Sequence, residues 1–199
     1  MPTKEAKLSR DIDYLLDCAE KSGIEHSALL RVTAAAKSYT HWWEQEFSVE
    51  HDPSQIHGET NHFRYRARPW HVVRVNDPDA NLIEMAALVL VACLTTGTNL
   101  EFSLQANNES LSKLLDQLKP MAFSHRVETM DEFAVRLNTL KGGSIRVVGS
   151  YDANSIAPER IGNIPVVDSQ VLANGRIELL NYLKEQSVTE TVHRYGNIV

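Results

Sequence analysis

Apolar and polar positions change period along this chain, and the clearest change falls between His71 and Leu104. Residues 71–75 (HVVRV) are a short β-branched run, residues 76–81 a polar turn with Pro78, and residues 82–94 an apolar stretch long enough for a buried helix. Gly97 stands where a helix end needs a residue free to take positive φ, and residues 99–104 restart as a strand. Strand, helix and strand at this spacing make the repeating unit of a parallel α/β sheet.

The pattern extends on both sides of this unit. Ile12, Leu15, Leu16 and Ala19 recur at helical spacing before Gly23. Ser27 is the expected N-cap of a second helix through Phe47, with Leu29, Ala36, Tyr39, Trp43 and Phe47 near one face, a stripe read as core or interface. Residues 48–68 are turn-rich, and Phe63-Arg64-Tyr65-Arg66 alternates like an edge strand. Downstream, the pattern predicts helix 109–118, a weak strand 123–128, and a helix opened by the capping box Thr129–Glu132. It then predicts strand 144–148, a short helical piece at 158–161 ended by Gly162, strand 164–167, helix 176–185 and a last strand 188–193. The predicted fold is α/β: a Rossmann-like, mostly parallel sheet with helices on both faces, preceded by a helical pair and an extended segment. The expected division is 1–68 for the helical and extended part and 69–199 for the sheet domain.

Composition narrows the function classes. The 199 residues are 43% hydrophobic and carry a net charge of −6, which argues against nucleic acid as a partner. No apolar run approaches the ~20 residues of a membrane span, and residues 1–16 lack a secretion signal's apolar core. Cys18 and Cys93 make no disulfide framework and suit a reducing compartment, so a cytoplasmic protein without membrane insertion is expected.

The chemistry of a dinucleotide site is missing from its usual place. The turn after the first strand of such a sheet is glycine-rich and offers helix amides to a pyrophosphate. Here it reads Asn76-Asp77-Pro78-Asp79, with two carboxylates and no glycine. No phosphate-loop motif or G-x-S-x-G elbow occurs, and Gly149–Tyr151 is only a weak anion candidate beside Asp152. Cys93, within VLVACL, reads as a small core residue. Cys18 is placed on a polar helix face with Asp17 and Glu20, which would raise its thiol pKa. His51, His57 and His62 lie near Asp52 and Glu59, so a metal-dependent enzyme is conceivable, but the spacing matches no standard ligand pattern and turn histidines are the expectation. Arg64, Arg66 and Arg68 alternate with Phe63, Tyr65 and Trp70, and are read as interface salt-bridge partners with stems on apolar surface. A small-molecule module using the strand ends near Asn76, Gly149 and Asp168 is the alternative.

Four segments carry a resemblance: SYTHWWEQEF at 38–47, EHDPSQIHGETNHFRY at 50–65, SIRVVG at 144–149 and VLANGRIELLNYLKEQSVTETVHRYGN at 171–197. Together they resemble the C-terminal region of the long bifunctional proline utilization A flavoenzymes, which join a proline dehydrogenase to a glutamate-semialdehyde (pyrroline-5-carboxylate) dehydrogenase. The similarity runs from about Ala28 to Asn197. It implies an aldehyde-dehydrogenase-superfamily domain without catalytic equipment, which covers the channelling cavity and supports assembly. FAD and NAD would then belong to the parent protein only, and this piece would hold no cofactor or metal and no catalytic residue. The implied partners are the dehydrogenase modules and a second copy of the chain. Trp42, Trp43, Arg64, Arg66, Arg68, Arg194 and Tyr195 are the candidate contact residues, being types that anchor interfaces.

Overall fold

Five strands form one sheet in which every neighbouring pair is parallel: β2 Trp70–Val75, β3 Asn99–Leu104, β4 Ser124–Val127, β5 Ser144–Val148 and β6 Val166–Val167. The structure is a computed structural model and describes residues 7–57, 59–76, 82–121, 123–149 and 164–191. The strand order β4-β3-β2-β5-β6 is that of a doubly wound sheet, with the chain reversing direction of growth between β2 and β5. The α/β, Rossmann-like fold read from the sequence is therefore the fold observed. The turn at 77–81 and the helical piece predicted at 158–161 lie outside the described residues.

The two sheet faces bury different sets of side chains, because successive strand residues point to opposite sides. Val73, Val75, Phe102 and Leu104 meet the large core built with helices α1 (Arg10–Lys21), α2 (His26–Trp42) and α3 (Leu82–Thr96). Val72, Ile145 and Val147 meet Phe133 and Leu137 of α5 (Met130–Leu137). Helix α4 (Glu109–Gln117) adds Leu111, Leu114 and Leu115 to the large core. Helix α3 is apolar around most of its circumference because it is enclosed by the sheet, α1, α2 and α4. It ends at Gly97 with φ +76°, whose amide donates to Cys93 O at 2.8 Å.

Three local expectations change. Cys18 is buried, not set on a polar face, because it continues the Ile12, Leu15, Ala19 stripe one turn after Leu15. Helix α2 starts at His26, with Glu25 in the cap position and no side-chain cap bond; Ser27 instead donates to Glu25 Oε2. It closes in a π turn, Trp43–Phe47.

The largest difference is at the C-terminal end. The helix expected at 176–185 is only α6 (Gly175–Glu178) followed by a 3-10 turn, Leu179–Tyr182. The chain then runs as β7 (Leu183–Thr191), which does not join the parallel sheet. It pairs antiparallel with β1 (Glu59–Ala67) over nine residue pairs, from Ala67↔Leu183 to Glu59↔Thr191. Lys184, Glu185 and Gln186 are good helix formers, but pairing with β1 outweighs propensities worth tenths of a kcal/mol per residue.

Candidate functional site

In a doubly wound sheet, ligands sit beyond the carboxyl ends of the strands where the order reverses. Here that point lies between Val75-Asn76 and Val148-Gly149, tied together by Asn76 N–H donating to Val148 O at 2.9 Å. Two adjoining clefts open along this edge. One, of about 340 Å³, is lined by Arg146, Val147, Val148, Gly149, Asp168, Ser169 and shares Met85, Gln170 and Val171 with the other. The second, of about 460 Å³, continues past Glu84, Leu88, Leu172 and Arg31.

The helix that would face an anion is α3. Glu84 in its first turn already places a carboxylate at the positive end of the helix dipole. Arg31 of α2 grips it through Nε and Nη2, each at 2.7 Å, and these hydrogen bonds hold the carboxyl below its ordinary range against the opposing effect of burial.

The floor of the smaller cleft is Arg146. Its guanidinium is buried, pairs with the equally buried Glu178, and donates to Ser169 O at 2.7 Å. Glu178 also accepts from Leu172 N (3.0 Å) and Tyr182 Oη (3.0 Å), so the ion pair stitches β5, the 169–172 segment and the C-terminal turn into one network. Burial pushes the Glu178 carboxyl upward despite Arg146. Among the described residues Arg146 Nε has no hydrogen-bond partner.

On the opposite face, Arg74 is also buried; it donates to Asn76 Oδ1, Ser103 Oγ and Glu128 O, each at 2.9 Å. Glu128 is pushed up by burial but pulled lower on balance by Arg136 and Ser103. Phe133 lies 5.2 Å from the Arg74 guanidinium and 5.5 Å from that of Arg136.

These groups build structure; no activated nucleophile stands among them. Cys93 is buried and its thiol is pushed well up by burial and by Glu178. Tyr39 and Tyr182 are likewise raised by burial, and Tyr39 spends its proton on Leu172 O at 2.5 Å. The three histidines do not converge. His51 Nε2 is 3.1 Å from Glu46 O, His62 Nδ1 is 3.5 Å from Glu50 Oε2, and His57 is exposed. Among the described residues no group of three metal donors is brought together.

The candidate contact residues divide. Trp43, Arg64 and Arg66 meet on one cleft of about 290 Å³, with Phe47 and Tyr65 stacked edge to face at its side. Arg64 donates to Glu50 Oε1 and Gln186 Oε1, each at 2.7 Å, and Arg66 is exposed. Trp42 lies elsewhere, with the Arg176 guanidinium 5.1 Å from its ring. Arg68 is drawn inward at the root of the β1–β7 ribbon, where its Nη1 approaches Gly143 O at 3.4 Å and burial lowers its pKa. Arg194 and Tyr195 lie outside the described residues, as do Asp77 and Asp79.

Sequence reasoning missed His71, Arg74, Arg146 and Glu178. The signal was present in part: an arginine inside each of HVVRV and SIRVV, both central strands of a sheet covered on two faces, has to be buried and needs acceptors. Nothing in the sequence could say that Glu178, thirty-two positions on, supplies one of them.

Comparison with solved structures places this architecture. The chain is similar over 100% of its length to the structure of proline utilization A (PutA) from Corynebacterium freiburgense, at 26% identity and a TM-score of 0.57, spanning 16% of that protein. A Bradyrhizobium japonicum proline utilization A structure aligns with 78% of this chain and 19% of its own, at 16% identity and a TM-score of 0.54. The NADP-dependent glyceraldehyde-3-phosphate dehydrogenase of Bacillus halodurans aligns with 78% of this chain and 39% of its own, at 13% identity and a TM-score of 0.55. The chain thus has an aldehyde-dehydrogenase-like α/β fold and spans about a sixth of the proline utilization A protein it matches throughout. No protein-family model matches the sequence, and no curated protein does.

Proposed function

We propose that this chain is the non-catalytic, aldehyde-dehydrogenase-like C-terminal domain of a proline utilization A type protein, acting through its surfaces. In such a protein it would cover the cavity through which the intermediate passes between proline dehydrogenase and glutamate-semialdehyde dehydrogenase, and would help hold the assembly together. The observation that carries this reading is one match: the Corynebacterium freiburgense protein accounts for the whole chain at 26% identity, whereas the Bradyrhizobium japonicum protein and the glyceraldehyde-3-phosphate dehydrogenase each leave about a fifth of it unmatched. The site supports the same reading. A carboxylate already fixed by Arg31 in the first turn of α3, Asp168 at the cleft mouth and a guanidinium committed to Glu178 do not fit a dinucleotide pyrophosphate. FAD and NAD chemistry is accordingly assigned to the parent modules and no step to this chain.

The test is reconstitution. Mixed with proline utilization A catalytic modules lacking their own C-terminal domain, the chain should associate and shorten the lag before NADH forms from proline. Absence of binding at micromolar concentration, or NAD reduction by the chain alone with glutamate semialdehyde, would overturn the proposal. The cleft over Arg146 favours one other reading, a small-molecule binding module. A thermal-shift screen with nucleotides and carboxylates separates the two, since clear stabilisation by one ligand class belongs only to the module.

A further inference from the structure

We propose that His71 is an acid-sensitive latch that fastens the root of the β1–β7 ribbon to the parallel sheet and lets it open before the sheet itself unfolds. His71 is the second residue of the central strand β2 and has no exposed surface. Its Nδ1 lies 2.7 Å from Ser144 Oγ on the neighbouring strand β5. Ser144 Oγ gives its one proton to Asn181 O at 3.0 Å, so the imidazole must be the donor in the first contact. This fixes the neutral Nδ1–H tautomer and leaves Nε2 as a lone pair without a partner among the described residues.

The same imidazole is the surface on which the ribbon's root rests. The Tyr182 ring packs on it with centroids 4.5 Å apart. Tyr182 O accepts from Arg68 N (2.8 Å), where β1 ends, and from Thr98 Oγ1 (3.1 Å), where β3 begins. Leu183, the next residue, starts β7. His71, Ser144, Asn181 and Tyr182 therefore form one joint between sheet and ribbon.

A proton on Nε2 would put a positive charge where no water reaches and where Arg146 from β5 and Arg68 from the β1–β2 connection already act on the ring. Burial first, then these two arginines, holds the His71 pKa down to about 3. Displacing Tyr182, and with it the start of β7, would let water reach the charged ring. A group held below its ordinary value of 6.5 leaves the joint fully closed above that pH and loosens it as pH falls toward 3. The other groups around the joint do not produce this trend. Glu178 is shifted upward, which favours the closed state on acidification, and Tyr182, Tyr39 and Cys93 are all shifted upward and stay neutral from pH 4 to 8.

Hydrogen exchange of the full chain between pH 7.5 and 5.0, expressed as protection factors, tests the latch. Amides at the ribbon root, Arg68 and residues 183–186, should lose about 30-fold in protection while those of Val73 and Phe102 in the sheet hold theirs. The variant His71→Asn keeps a donor for Ser144 and removes the titration, so its root protection should change less than threefold over the same range. NMR of the ring nitrogens in the unaltered protein should show the neutral Nδ1–H form still present at pH 5.0. Root and sheet losing protection together, a root indifferent to pH, an imidazolium at pH 5.0, or an undiminished trend in His71→Asn would each overturn the proposal.

Discussion

At the scale of single residues, the chain depends on a few buried polar contacts that cannot relax. Removing one member of the Arg146–Glu178 pair leaves the other charge without compensation in the core. Arg146→Ala should therefore cost about 3–5 kcal/mol in urea unfolding. The double replacement Arg146→Met with Glu178→Leu should recover much of that loss, because no buried charge remains. A double variant as unstable as the single would refute this account. Gly175 is a steric case: a Cβ there would lie 2.6 Å from Ser38 O and 2.8 Å from Tyr39 Cα, both backbone atoms of α2. Gly175→Ala should lower stability by about 1–3 kcal/mol or abolish soluble expression, and a melting temperature unchanged within 1 °C or so would show that α2 can yield.

Sequence legibility at this scale was uneven. Gly97 and Gly23 were readable because a helix stop constrains backbone shape locally. Gly175 was not, because its constraint comes from a helix more than 130 positions earlier.

At the scale of elements, the parts set by local chemistry were the ones that could be read. The capping box of α5 forms both reciprocal bonds: Glu132 N donates to Thr129 Oγ1 at 3.2 Å, and Thr129 N donates to Glu132 Oε2 at 2.7 Å. Thr129→Ala should cost about 1 kcal/mol, and Thr129→Ser should restore most of it. Equal stabilities for the two variants would mean the helix is held by Phe133 and Leu137 alone. Strand β5 was legible to its last residue, because a β-branched run after Gly142-Gly143 with buried neighbours on both faces has no competing structure. The C-terminal segment was legible only in part: residues 188–191 of the strand expected at 188–193 lie in β7, but the helix expected at 176–185 does not run its length. Its helix-forming residues are overridden by a partner strand lying well over a hundred residues away, and such pairing leaves no local trace.

At the scale of the molecule, the absence of a cofactor fingerprint acquires a more definite physical basis than the acidic turn gave it. From the sequence, the case against a dinucleotide rested on Asp77 and Asp79. We propose that it rests equally on α3, whose first turn is filled by Glu84 under a two-point grip from Arg31, and on a cleft floor whose guanidinium is paired with Glu178. The proposed obstacle is therefore distributed over α2, α3, β5 and the C-terminal turn. Replacing Asp77 and Asp79 by glycine supplies the missing backbone freedom at one point only. That double variant should show no heat of NAD binding in calorimetry at millimolar cofactor. Adding Glu84→Gln should also leave binding absent and should cost stability by freeing Arg31 from its partner. A measurable NAD affinity in the glycine double variant would mean that the acidic turn alone had closed a competent site, and that the rest of the sheet edge still fits the cofactor.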